Sequence, residues 1–129
     1  MVGLVVQRGP SRSPTLDLRA AAEEVTRTLR LARTRAIATN RAVVFRLDVV
    51  GHAYAVDGAP PRSLPAALAL GIVAIAPGAA GTPSISFAPD GSSSGGRIAM
   101  GEGARHIDIG VDWLTGRVSL GQMSVADAR

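Results

Sequence analysis

The chain has 129 residues, a formal net charge of +4 at pH 7 and no cysteine. Its length suits one domain with its own hydrophobic core, and the absence of cysteine excludes disulfides and thiolate metal sites. Every basic residue is an arginine, and aromatic residues make up only 3% of the chain, so the stacking platform of a single-stranded nucleic-acid binder is not indicated.

The first thirteen residues separate from the rest by composition. Residues 1–6 are strongly apolar, but this run is far shorter than the roughly 20 residues that cross a bilayer. Residues 7–13 form a polar joint that contains Gly and Pro. The apolar run is open to three interpretations, namely a first strand, a loose tail or the end of a longer apolar helix.

A helix is predicted over residues 14–40, because apolar residues recur there every three or four positions. Ser13, Pro14 and Asp17 favour its start, and Asn40 can end it in a left-handed conformation. Small alanines in the apolar face would let the helix lie close to a sheet. The residues predicted to pack on that sheet are Leu18, Ala22, Val25, Leu29, Ala32 and Ala36.

The other faces of this helix are expected to meet solvent or a partner. The charged residues predicted to lie in solvent beside the apolar face are Arg19, Glu23, Arg27, Arg30 and Arg33. Leu31 lies about 140° from the centre of the apolar face, so an isolated domain has no reason to bury it. Leu16 and Leu31 are therefore the candidate partner interface.

Beyond Asn40 the pattern changes to about seven short β-prone runs, whose close spacing favours antiparallel pairing. The runs cover residues 42–47, 52–56, 68–75, 84–87, 97–100, 107–111 and 117–120. Residues 48–51 are predicted to close a hairpin, and residues 57–65 to form a loop. One helix followed by strands predicts an α+β domain over residues 14–129, with residues 41–121 as its β-rich part and 122–129 as a tail.

A Ser/Gly loop is the one match to a catalytic motif. Residues 91–95 read Gly-Ser-Ser-Ser-Gly and match the G-x-S-x-G elbow of α/β-hydrolases. An elbow leads into a helix, whereas residues 97–100 are predicted as strand, and His106 precedes Asp108 instead of following the acid. A flexible loop is the better interpretation. The segment also lacks the lysine of a phosphate-binding loop.

Metal sites are equally weakly indicated. His52 and His106 are too few for a histidine-rich site and match no metalloprotease pattern. Asp90, Asp108 and Asp112 lack the tight alternation of a calcium loop, and turn formation explains them better. The sequence therefore predicts no catalytic residue, no metal site and no cofactor.

Three stretches together resemble the minor pseudopilins of the GspH/FimT family. They are residues 29–37 (LRLARTRAI), 87–96 (FAPDGSSSGG) and 111–118 (VDWLTGRV), and the resemblance covers nearly all of residues 18–120. The positions that match the family's motifs are Ala32, Arg33, Ala36, Asp112, Trp113, Thr115, Gly116 and Arg117. The prepilin peptidase site and glutamate-containing apolar segment that open such proteins are absent, so residues 1–13 are expected to be the remnant of a truncated membrane helix and its joint.

The resemblance implies a pilin-like fold, with one N-terminal helix packed on antiparallel sheets that form a β-sandwich. It implies a structural role in a type II secretion system, where such proteins are anchored in the inner membrane, project into the periplasm and join the other minor pseudopilins and the major pseudopilin in a short fibre. It implies no enzymatic activity and no small-molecule substrate.

Two alternatives remain open at this stage. The first is a FimT-type minor pilin of a type IV pilus, possibly in contact with DNA during uptake. Arg117, Arg105 and Arg129 would offer only two or three phosphate contacts, so nucleic acid is not the expected partner. The second is a periplasmic hydrolase, which depends on the Ser/Gly loop alone.

Overall fold

A computed structural model describes residues 14–74 and 84–125 of the chain. Its helix, α1, covers Pro14–Thr39, close to the predicted range. Asn40 follows with φ of 55°, the left-handed conformation expected of a residue that ends a helix. The side chains of the predicted packing face are buried, each at most 3% exposed: Leu18, Ala22, Val25, Leu29, Ala32 and Ala36.

The described strands form two antiparallel sheets. In chain order they are β1 (Val43–Asp48), β2 (Ala53–Val56), β3 (Arg62–Ser63), β4 (Ala69–Ala74), β5 (Ser84–Phe87), β6 (Gly96–Glu102), β7 (Arg105–Val111), β8 (Val118–Leu120) and β9 (Ser124–Val125). The first sheet has the order β3-β2-β1-β5, and the second has the order β4-β6-β7-β8, with β9 also paired to β7. The predicted α+β class, one helix on antiparallel sheets, is confirmed.

One hydrophobic core joins the helix to both sheets. Helix α1 contacts β1 and β5 of the first sheet and β6, β7 and β8 of the second. Phe45 and Phe87 supply the core from the first sheet, and Ile98 and Ile109 supply it from the second; all four are fully buried. Burial alternates along these strands, so one face of each sheet packs inward.

The predicted hairpin after β1 is present. Strands β1 and β2 pair from Asp48 opposite Ala53 to Phe45 opposite Val56. The Gly51 amide donates to Asp48 Oδ1 at 2.9 Å, and His52 takes a left-handed conformation with φ of 53°. The aspartate therefore closes this turn by a local hydrogen bond.

Two short strands lie where the sequence predicted none. Strand β3 falls inside the predicted loop 57–65, and β9 falls inside the predicted tail 122–129. Each has two residues and pairs at a sheet edge, with β2 and with β7 respectively. Two residues are too few to show the alternation of apolar and polar side chains that predicts a strand. These runs are extended because they pair with a neighbouring strand.

Several sequence predictions fall outside the described residues. They concern residues 1–13, the end of the predicted strand 68–75 at Ile75, and residues 126–129. The Leu16 side chain also lies outside them. In the described ranges, no helix combines the length and apolar character needed to span a membrane.

Candidate assembly interface

Arg33 of the helix and the turn that follows β7, both parts of stretches that resemble the family, meet at one corner of the molecule. Arg33, in the C-terminal half of α1, donates from Nε to Gly91 O at 2.9 Å and to Thr115 O at 3.2 Å. One guanidinium thus ties the helix to the Ser/Gly loop and to the turn that follows β7. We call this region the Arg33 corner.

Gly116 allows these three segments to approach each other. Its φ is 72°, a conformation that L residues with a side chain rarely adopt. A Cβ at this position would lie far inside van der Waals contact with Gly91 O, and 2.9 Å from Arg33 Nε. The glycine of the predicted motif is therefore required both by its backbone and by its surroundings.

The turn of residues 112–117 is closed by its own hydrogen bonds. The Asp112 amide donates to Arg117 O, and the Gly116 amide donates to Asp112 O. Asp112 Oδ1 accepts from the Leu114 amide at 2.9 Å, and Thr115 Oγ1 accepts from the Arg117 amide at 3.2 Å. Asp112 and Thr115 thus have a structural function in holding the turn.

Two helix arginines that were predicted to lie in solvent also bond to the last strands and loops. Arg30 is exposed as predicted but donates from Nη2 to Val118 O at 3.0 Å. The prediction for Arg33 is wrong, because Arg33 is half-buried in its corner. Long aliphatic stems let arginine reach across a helix edge to backbone carbonyls. The helix is consequently fastened to the last strands by side-chain hydrogen bonds as well as by its apolar face.

The Ser/Gly loop is a hydrogen-bonded turn rather than the expected flexible loop. Ser94 Oγ accepts from the Ser86 amide at 3.0 Å, and Ser93 Oγ accepts from the Gly95 amide at 3.0 Å. Ser92 donates from its hydroxyl and its amide to Asp90 Oδ1, and these bonds lower the pKa of Asp90. Strand β6 follows the loop directly, which contradicts a strand-to-helix elbow.

The opposite side of the helix carries a second polar cluster. Tyr54 Oη donates to Glu24 Oε2 at 2.5 Å, and Arg62 Nε lies 3.1 Å from the same oxygen. Burial, and next the hydrogen bond to Glu24, raise the pKa of Tyr54 to about 12. Arg35 donates to Asp57 O at 3.0 Å, so this side too is joined to the first sheet.

Leu31 lies on this second side of the helix and is 56% exposed. It borders an open groove of about 110 Å³ between α1 and the region of β2 and β3, whose lining includes Ala55 and Pro60. The exposure expected of Leu31 is therefore present. Its contact with a partner stays a prediction.

The histidines and aspartates considered as metal ligands have other surroundings. His52 Nε2 lies 2.9 Å from Leu68 O, and His106 is exposed on β7. Within residues 14–74 and 84–125, no group of three or more His, Cys, Asp or Glu side chains is arranged to hold a metal ion.

Exposed apolar side chains remain around the Arg33 corner. Trp113 is 58% exposed and Leu114 is 64% exposed, both in the turn after β7. Ile37 is half-exposed, and its Cδ1 would lie 3.4 Å from a Cβ on Gly91. The resemblance to the family places Trp113 in a motif, but the spacing of apolar residues along the sequence could not predict that its side chain is exposed.

Most of the chain matches a known protein family in sequence. The sequence model of the family described as Type II transport protein GspH matches residues 21–115. The type II secretion system protein H of Xanthomonas campestris pv. campestris is 32% identical over 114 residues, which are 84% of this chain. The chain spans 65% of the length of that relative.

Solved structures of minor pilins share the fold. The minor pseudopilin EpsH from the type 2 secretion system of Vibrio cholerae matches with a TM-score of 0.71 at 12% identity, over 89% of this chain and 100% of that one. The type IV minor pilin FimU of Pseudomonas aeruginosa matches with a TM-score of 0.64 at 17% identity, over 82% and 89% of the two chains. At these identities the likeness establishes the fold alone. The family match over residues 21–115, most of the chain, establishes that the chain belongs to the GspH family of type II transport proteins.

Proposed function

We propose that this protein is a minor pseudopilin of a type II secretion system and helps to initiate or cap the pseudopilus. The observation that carries this proposal is the GspH family match over residues 21–115, which covers most of α1, strands β1 to β7 and the residues Arg33, Gly91 and Thr115 of the Arg33 corner. Its partners would be the other minor pseudopilins and the major pseudopilin of the same fibre. The domain would lie in the periplasm of a Gram-negative bacterium, held to the inner membrane by a single-pass N-terminal helix.

The contacts of the motif residues support assembly rather than catalysis. Arg33, Thr115 and Gly116 contribute to the contacts between the helix and the loops. The side chains of Asp112 and Thr115 hold the turn after β7. The hydroxyls of the Ser/Gly loop bond to backbone amides or to Asp90. We infer that these residues shape a surface, and that the protein has no enzymatic activity.

Complementation of a strain that lacks the gene tests this function. Subunits confined to a membrane meet at high effective concentration, whereas a freely diffusing domain does not. Residues 1–129 joined to the N-terminal helix of a GspH protein should restore secretion, and the same residues exported without that helix should not. Restoration by the free domain at matched protein levels would contradict the proposal.

A substitution in the Ser/Gly loop tests the hydrolase alternative separately. Ser93→Ala removes the hydroxyl of the G-x-S-x-G match and one turn hydrogen bond to the Gly95 amide. The membrane-anchored Ser93→Ala protein should secrete normally, with Ser92→Ala as the matched control. Loss of secretion by Ser93→Ala alone, at normal protein levels, would favour a catalytic hydroxyl.

The likeness to FimU, a type IV minor pilin, leaves a second candidate open, a minor pilin of a type IV pilus. Contact with DNA during uptake would be part of this candidate function. Arg30 and Arg33 each donate to a backbone carbonyl, whereas the side chain of Arg117 makes no such bond to a described residue. These arginines could meet two or three phosphates at most, and so few contacts give weak binding, because affinity for DNA grows with the number of phosphates that are neutralised. Deletion of the gene should therefore abolish secretion of exoproteins and leave DNA uptake unchanged.

A further inference from the structure

The turn after β7 presents two large apolar side chains on a rigid backbone. Trp113 is the only tryptophan of the chain, and it is 58% exposed beside Leu114, which is 64% exposed. Its backbone oxygen accepts from the Ser93 amide at 2.9 Å, and Asp112 Oδ1 holds the Leu114 amide. A preorganised aromatic side chain is typical of the few residues that dominate the binding energy of an interface.

Three arginines that form no ion pair with a described residue lie next to these side chains. An open groove of about 870 Å³ runs beside the turn, and its lining includes Arg30, Arg33 and Arg117. Among the described residues, the ion pairs are Arg46 with Asp57 and Arg62 with Glu24. The three groove arginines keep their full charge, because hydrogen bonds to carbonyls do not neutralise a guanidinium.

The position of this surface also fits a neighbouring subunit. Arg33 lies about 19 residues beyond Pro14 in α1, which corresponds to about 28 Å along the helix axis. The Trp113 turn therefore lies well away from the beginning of the described helix. In a protein anchored ahead of that helix, the turn would face the next layer of the fibre rather than the membrane.

We propose that the Trp113 turn and the arginine groove dock a neighbouring pseudopilin through a segment that carries a large apolar side chain flanked by carboxylates. This inference rests on the proposed function. The apolar side chain would pack on Trp113 and Leu114, and the carboxylates would meet Arg117 and the spare N–H groups of Arg30. The apolar pair of Trp113 and Leu114 beside the arginines favours a polypeptide over a nucleic acid. A charged phosphate makes no favourable contact with the leucine, whereas an apolar side chain of a polypeptide would pack on it.

The single tryptophan supplies a selective probe. Residues 1–129, expressed without a membrane helix and labelled with 5-fluorotryptophan, would show one ¹⁹F resonance, from Trp113. This protein is titrated with the purified periplasmic domain of each pseudopilin of the same secretion system. We expect one of these domains to shift the resonance. Calorimetric titrations should then show affinity lowered at least about tenfold by Trp113→Ala, Leu114→Ala and Arg117→Glu.

Matched controls separate loss of contact from loss of folding. Val50 is 88% exposed in the β1–β2 turn, so Val50→Ala should leave both the melting temperature and the affinity unchanged. Trp113→Ala and Leu114→Ala should melt at the same temperature as the parent, because both side chains are exposed and the turn is held by backbone atoms and by the side chains of Asp112 and Thr115.

The remaining outcomes contradict the docking proposal in different ways. If a pseudopilin binds the parent and all three corner variants equally well, this surface is wrong and the proposed function stands. If no pseudopilin binds while complementation succeeds, or if only a short DNA duplex shifts the resonance, the docking proposal is also wrong. If neither binding nor complementation occurs, the proposed function fails with it.

Discussion

Gly116 combines a left-handed backbone with close contacts to two other segments. Gly103, in the turn between β6 and β7, shares the left-handed backbone with φ of 63°, but a Cβ there would meet nothing within 4 Å. The two glycines therefore separate the cost of backbone strain from the cost of a steric clash.

Gly103→Ala should lower the free energy of unfolding by about 1 kcal/mol, the cost of a left-handed alanine. Gly116→Ala should lower it by about 2 to 4 kcal/mol, because overpacking adds to the same backbone strain. Chemical denaturation of both variants measures the difference. Equal losses would mean that Gly91 and Arg33 move aside at little cost.

Tyr54 offers an isolated alkaline titration. The chain has one tyrosine, no lysine and no cysteine, so few other groups change charge between pH 9 and 12. The pKa of Tyr54 is raised from 10.0 to about 12, so the folded protein holds the phenolic proton more tightly than the unfolded chain does. The stability that this gives is complete below pH 10 and is lost as the pH rises through 12.

We therefore expect the melting temperature to fall between pH 10 and pH 12 in the parent, and to stay nearly level there in Tyr54→Phe. Tyrosinate absorbance at 295 nm should report a midpoint near 12 in the folded protein. A midpoint near 10 would show that Tyr54 is neither buried nor bonded to Glu24 in solution as described above.

At the scale of the elements, the helix was the most predictable part of the chain. Its packing face could be read from spacing, since burial at every third or fourth position follows from helix geometry. The contacts of Arg30 and Arg33 could not be read in the same way. They depend on carbonyls at Val118 and Gly91, whose positions are set only once both sheets have formed.

Leu29 tests the packing of the helix. Its side chain is fully buried, so Leu29→Ala should lower the free energy of unfolding by about 2 to 5 kcal/mol through lost burial and a cavity. Leu31→Ala is the matched control on the same helix and should stay within about 0.5 kcal/mol of the parent. Leu29→Asp should prevent folding, and a stable Leu29→Asp protein would contradict the packing described above.

At the scale of the whole molecule, the division of the strands between two sheets was not predictable from their order. Strand β4 follows β3 in the chain but joins the other sheet, and β5 returns to pair with β1. Alternation within a strand shows which residues face inward, but it carries no information about the neighbouring strand. The fold class could be predicted because it needs only the order of helix and strands.

The groove beside Leu31 is a second candidate contact surface, on the other side of α1 from the Trp113 turn. We expect Leu31→Arg to leave the melting temperature unchanged, because the side chain is exposed, and to weaken binding to a partner pseudopilin. Calorimetric titration against each pseudopilin domain measures this effect. Unchanged affinity for all of them would remove this face, and the Leu16 prediction associated with it, from consideration.

The bonds from α1 to β8 and to the turn after β7 also bear on the order in which the contacts of the domain form. Arg30 reaches Val118 across 88 residues and Arg33 reaches Thr115 across 82 residues, so the helix depends on segments far along the chain. Contacts of such separation form late, because the entropy of closing the intervening loop opposes them until the sheets exist. A chain leaving the ribosome would therefore make these two bonds only after residues 115–118 had emerged, and the helix would lack them until then.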